Sequence, residues 1–198
     1  METELNAAYW ENRYRNGDTP WDIGYPSPAL VDYFSREVPI SSRILIPGAG
    51  FGHEARWLGE QGYSSVYICD WSAEALQPLK ATGLFPDEHL IAGDFFELSG
   101  QYDFIIEQTF FCALPPAKRA AYAAQCHRLL KPGGRLAGLL FNTVFPFDGP
   151  PFGGHRETYE ALLQPLFHKV ALSPCSGSIA PRAGRELFLE AQKQLPAI

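Results

Sequence analysis

The chain lacks any concentrated run of basic residues. Its densest basic stretches, Lys118–Arg119 and Arg182–Arg185, hold two charges each, and the whole carries 16 Lys and Arg against 22 Asp and Glu, a net charge of −6. Nucleic-acid affinity comes largely from cations displacing counterions from phosphates, so DNA, RNA and anionic membranes are not expected partners. Paired cysteines are missing too. Cys69, Cys112, Cys126 and Cys175 form no C-x-x-C pair, which signals neither a zinc site nor a disulfide framework and predicts reduced, small apolar side chains. No metal is expected. Long apolar runs are also absent: Phe104–Pro116 is broken by Glu107 and two prolines, short of the roughly 20 residues that a membrane span needs. The acidic start, Met1-Glu-Thr-Glu-Leu5, has no apolar core of the secretory kind, so the expected location is cytoplasmic.

What is present is a globular composition. Hydrophobic residues make up 46% and charged residues 19% of 198 positions, values that exclude disorder and coiled coil and leave room for one domain. The single domain is read as an aromatic segment, 1–40, followed by a core, 41–198. Eighteen glycines, 17 prolines and 14% aromatics suit a pocketed enzyme.

Five short β-type runs, Arg43–Ile46, Ser65–Asp70, His89–Ala92, Tyr102–Glu107 and Arg135–Phe141, alternate with helical patterns. That alternation predicts an α/β fold, a parallel sheet with helices on both faces. Helices are expected over Gly52–Gly62, Ser72–Lys80 with Ser72 as cap, Pro116–Leu130 and Arg156–Leu163. Phe167–Leu172 and Glu186–Ala191 follow, joined by the turn-rich Ser173–Gly184, and read as an antiparallel hairpin closing the sheet.

The sharpest local signal is Ile44-Leu-Ile-Pro-Gly48-Ala-Gly50-Phe-Gly52-His53, a strand entering a glycine turn and then a helix. Glycines there let the backbone approach a ligand, and the helix start offers free N–H donors. Asp70 falls twenty residues beyond Gly50, at the end of the second strand, where a carboxylate accepts from ribose hydroxyls. His53 stands where a dinucleotide fingerprint needs its third glycine. Gly52 gives G-x-G-x-G instead, the form typical of S-adenosylmethionine-dependent methyltransferases. Asp94 and Phe95, in Gly93-Asp-Phe-Phe96 after the third strand, sit where such enzymes hold adenine, and Trp71 beside Asp70 is placed to stack on it.

With these motifs in view, the sequence resembles the thiopurine S-methyltransferase family of class I methyltransferases, in particular its plant-type halide/thiol branch. Thr19-Pro-Trp21-Asp-Ile-Gly24 resembles that family's TPWD-x-G segment, and Ile46-Pro-Gly48-Ala-Gly50 its VPGCG turn. Phe110-Phe-Cys-Ala-Leu114 resembles its FFCA element, Leu129-Leu-Lys-Pro-Gly-Gly134 the LLKPGG turn, Asp148-Gly-Pro-Pro-Phe152 the GGPPY loop and Ile179-Ala-Pro-Arg-Ala-Gly184 the closing IPTRKG stretch. The resemblance implies a Rossmann-like sheet of seven strands, mostly parallel with the last antiparallel. It also implies cofactor contacts at Trp10, Tyr14, Trp21, Gly48, Asp70, Asp94 and Glu107. Departures lie near the acceptor side, with Tyr14 in place of Trp, Glu107 in place of Asp and Gln108-Thr109 in place of Tyr-Val.

The function expected is transfer of a methyl group from S-adenosylmethionine, leaving S-adenosylhomocysteine, to a small thiol, halide or pseudohalide. Rivals are an O- or N-methyltransferase, a nicotinamide-dependent oxidoreductase and a non-catalytic S-adenosylmethionine binder. The aromatic segment is expected to cover the cofactor, with Trp10, Tyr14 and Trp21 facing its sulfonium. Phe110, Phe111 and Phe152 are candidates for an apolar acceptor wall, and His155 is the one histidine placed to approach a substrate. No His/Asp pair is apparent. No catalytic residue is assigned, and a monomer is compatible with the sequence.

Overall fold

The computed structural model describes residues 5–196; Met1–Glu4, part of the acidic start on which the expected location rests, lie outside them. Seven strands form one sheet: β1 (Ile44–Pro47), β2 (Val66–Asp70), β3 (Leu90–Ala92), β4 (Tyr102–Gln108), β5 (Leu130–Phe141), β6 (Lys169–Pro174) and β7 (Glu186–Gln192), in the order β3-β2-β1-β4-β5-β7-β6. The first five are parallel, and β7 runs antiparallel between β5 and β6. This is the mostly parallel seven-stranded architecture with the terminal hairpin that the sequence predicts.

Strand side chains alternate between two helix layers, as the two-residue period requires. Leu45, Ile105 and Leu136 face one core with Tyr122 and Leu129 of α5 (Arg119–Leu129) and Tyr159 and Leu163 of α6 (Arg156–Leu163). Ile44, Ile46, Ile68 and Ile106 face the other. There they meet Leu30 and Phe34 of α2 (Pro28–Glu37), Leu58 of α3 (His53–Glu60) and Leu76 of α4 (Ala73–Lys80). Ser72 caps α4, its hydroxyl accepting from Ala75 N–H at 3.1 Å, as expected.

Most boundaries differ from the sequence reading by one to three residues, and two differences are larger. Strand β5 begins at Leu130 rather than Arg135, because Lys131–Gly134 bulges out of the ladder and is held from the far side, where Gly133 N–H donates to the Lys193 carbonyl at 3.1 Å. The segment 1–40 divides in two. Helix α1 (Ala7–Arg15) has no buried residue, whereas α2 buries Ala29, Leu30, Tyr33 and Phe34 and belongs to the core. The covering part of the segment therefore ends near Ser27.

Candidate functional site

The sheet order reverses between β1 and β4, and open α/β folds leave a crevice beyond the strand ends at such a point. A cavity of about 410 Å³ opens there. Its floor is the glycine turn after β1. Gly48 and Gly50 have φ of 58° and 54°, the left-handed region that disfavours side chains. A Cβ on Gly48 would lie 2.2 Å from the Phe110 ring, and one on Gly50 would lie 2.8 Å from the Tyr14 hydroxyl. The turn needs glycine for both space and conformation.

Asp70 ends β2 beneath this turn, with Oδ2 accepting from Gly50 N–H and Oδ1 from Ser72 N–H, both at 2.9 Å. Burial pushes its carboxyl up, and those N–H groups oppose the shift. Two donors leave lone pairs on the carboxylate for a ligand. Asp94 accepts from Phe96 N–H through Oδ1 at 2.8 Å, capping the helical turn Phe95–Glu97. Asp94, Phe95 and Trp71 all line the cavity.

Helix α1 and the loop after it form the roof. Trp10 and Tyr14, one helical turn apart, both meet Trp21 edge to face, at centroid distances of 5.5 and 5.8 Å. Tyr14 meets Phe51 of the glycine turn at 5.2 Å. Polar contacts hold the roof down. Ser72 Oγ donates to Glu11 at 2.5 Å, Arg182 Nη2 donates to the Trp21 carbonyl at 3.0 Å, and Arg13 lies over the Trp21 ring at 4.8 Å. His53 and Asp22 meet at 2.8 Å.

Of the ten sequence-predicted contacts, Trp10, Tyr14, Trp21, Gly48, Gly50, Asp70, Trp71, Asp94 and Phe95 all line this one cavity. Glu107 does not. It is fully buried, with Oε1 accepting from Phe110 and Phe111 N–H at 2.8 Å and Oε2 from the Tyr122 hydroxyl at 2.6 Å. Burial raises its carboxyl to about 7 against these donors. The loop after β4 turns back over the strand end and captures the acid, so a cofactor contact at Glu107 is corrected to a loop cap. Thr109, inside that turn, has φ 60°, a conformation costing a non-glycine residue about 1–2 kcal/mol.

The aromatic wall is also narrower than expected: Phe110 lines the cavity, while Phe111 packs in the core and Phe152 is not on the lining. Cys112 is a buried thiol pushed up to about 12, so it stays protonated. His155 is absent from the lining, and His53 is on it. The His53–Asp22 pair spans 31 positions, too far for spacing to reveal. Gln108 and Arg182 are further lining residues not singled out from the sequence as site residues. Among the described residues no cluster of His, Cys, Asp or Glu could hold a metal, and no helix is long and apolar enough to cross a membrane.

Comparison with known proteins places these observations in a family. The thiopurine S-methyltransferase family model matches residues 5–186. Probable thiol methyltransferase 2 of Arabidopsis thaliana is 31% identical over 193 residues, covering 94% of this chain and 85% of the relative. Thiocyanate methyltransferase 1 of Brassica oleracea is 34% identical over 185 residues, covering 89% and 81%. Among solved structures, Burkholderia thailandensis 1,6-didemethyltoxoflavin-N1-methyltransferase with bound S-adenosylhomocysteine superposes with a TM-score of 0.71 at 21% identity, covering 96% of this chain and 88% of that one.

Proposed function

Since the chain belongs to the thiopurine S-methyltransferase family, we propose that it transfers a methyl group from S-adenosylmethionine to a small thiol or pseudohalide nucleophile. The observation that carries this reading is the convergence of the glycine turn, Asp70, Asp94 and the aromatic roof on one cavity. The residues fit the cofactor. A turn with glycine at positions 48 and 50 admits a ligand against the backbone, Asp70 has acceptor capacity beside it for ribose hydroxyls, and Asp94 with Phe95 and Trp71 offers an acid and two rings for an adenine. When bound, S-adenosylmethionine supplies a methyl carbon activated by its sulfonium.

The chain's own part is alignment and exclusion of water. Trp10, Tyr14 and Trp21 close the cavity from above, and their ring faces attract a cation by about 0.5–2 kcal/mol each. Phe110 seals the glycine turn from the β4 side. The protonated Cys112 thiol offers no competing nucleophile. A reducing cytoplasmic setting suits four free cysteines.

Calorimetry against S-adenosylhomocysteine and NADH tests the cofactor, and binding of NADH alone overturns the reading. Methyl-transfer assays with iodide, thiocyanate, hydrosulfide and aromatic thiols then test the acceptor. Turnover confined to oxygen or nitrogen acceptors removes the sulfur assignment.

A further inference from the structure

His53 opens α3 directly after the glycine turn, and Asp22 comes from the roof loop; both line the cavity, with side chains 28% and 25% exposed. The pair is held in place. Asp22 Oδ1 also accepts from Gly24 N–H at 2.9 Å, and Asp22 N–H donates to the Thr19 carbonyl at 2.9 Å. In the tautomer that donates Nε2–H to the Asp22 carboxylate, the Nδ1 lone pair of His53 has no partner among the described residues. An acid fixes an imidazole as a base in the same way in a catalytic triad, there with the roles of the two ring nitrogens exchanged.

Each of the other acids of the cavity accepts from at least one backbone N–H. Glu54 is 6% exposed and accepts from Ser27 N–H at 2.9 Å. Asp70 takes two N–H groups, and Asp94 caps its turn. The charged groups that line the cavity with His53 are Asp22 and Arg13 from the roof, Glu54 on α3, Asp70 and Asp94 at the strand ends, Lys118 before α5 and Arg182 from the β6–β7 connection.

Resting on the methyltransferase reading above, we infer that His53, oriented by Asp22, is the general base that deprotonates neutral thiol acceptors in this cavity. Nδ1 takes the S–H proton as the acceptor sulfur forms its bond to the methyl carbon. The electron pair of the broken carbon–sulfur bond stays with the departing thioether, and the imidazolium returns its proton to water. A thiol of ordinary acidity, titrating near 8.5, is only a few per cent ionised at pH 7. Thiocyanate and iodide have no proton to lose. The dyad therefore acts on one class of acceptor only.

The test compares His53→Asn and His53→Ala with wild type on free cysteine, an alkyl thiol that titrates near 8.5, and on thiocyanate. Calorimetry with S-adenosylhomocysteine verifies that each variant keeps its cofactor site. At pH 7 the variants are expected to lose about 30-fold more activity on the alkyl thiol than on thiocyanate, the reciprocal of the free thiolate fraction. The excess should vanish near pH 9, where the thiol ionises unaided. Independently of turnover, histidine-selective NMR of the protein without methyl donor should register the alkyl thiol at the His53 imidazole, and Asp22→Asn should alter that signal. Equal losses on both acceptors, a thiol deficit that ignores pH, or an imidazole indifferent to thiol overturns the base. Failure of wild type to methylate any acceptor instead overturns the methyltransferase reading beneath it.

Discussion

The floor and the roof of the cavity are built on different principles. The floor is continuous with the core: β1 and β2 are buried along nearly their whole length, Asp70 is 8% exposed, and Ser72 and Glu107 are fully enclosed. The roof has no buried residue in α1 and is held by a few polar contacts and edge-to-face rings. A floor of this kind is preformed and changes only if the fold changes. Lifting a roof of this kind would leave the core intact and cost a few hydrogen bonds, each contributing about 0.5–1.5 kcal/mol, besides the ring contacts.

Substitutions can break or sharpen that contrast. The largest effect belongs to the floor: Gly48→Ala must displace the Phe110 ring and hold an L-residue at φ 58°. Strain and overpacking of a few kcal/mol predict a loss of S-adenosylhomocysteine affinity of about 100-fold, read by calorimetry. Next comes Glu107, where burial raises the carboxyl from 4.5 to about 7. A raised acid favours the folded state while protonated. Its contribution is complete below pH 4.5, fades as pH rises through about 7, and amounts to about 3 kcal/mol. Urea unfolding should show Glu107→Gln removing that slope, while a slope unchanged by the substitution contradicts the enclosed acid.

Roof variants should act on affinity more than on folding. Trp21→Ala removes the ring that both Trp10 and Tyr14 contact, and cofactor affinity should fall about tenfold with little change in unfolding free energy. Unchanged affinity would mean that the roof does not cover the cofactor. The smallest effect is at the seam, where Ser72→Ala loses both the α4 cap and the contact to Glu11. A cap contributes about 1 kcal/mol, so Tm should drop by about 2–4 °C.

The same contrast explains what could be read without coordinates. The floor was legible because strand, glycine turn and strand-end acid are local patterns whose spacing reflects geometry, and the terminal hairpin followed from a turn-rich link between two β runs. Glu107 was misplaced because its position at a strand end says nothing about a loop that doubles back to cap it. The roof was legible in its aromatic content but not in its boundaries. Ser27-Pro28 followed by Leu30, Tyr33 and Phe34 carries the cap, proline and spacing of a core helix, a signal hidden by grouping all forty residues together. The His53–Asp22 contact joins segments 31 positions apart, and no local pattern encodes such a meeting.

Arg182, lying between β6 and β7, donates to the carbonyl of Trp21 across 161 positions of chain. During synthesis the glycine turn, Asp70 and Asp94 emerge well before this residue does. A growing chain can thus assemble the cavity floor while its roof still lacks the Arg182 tether, and that tether forms only when the closing hairpin is made. Fastening of the roof by Arg182 accordingly comes after the floor, since it waits for a residue of the closing hairpin.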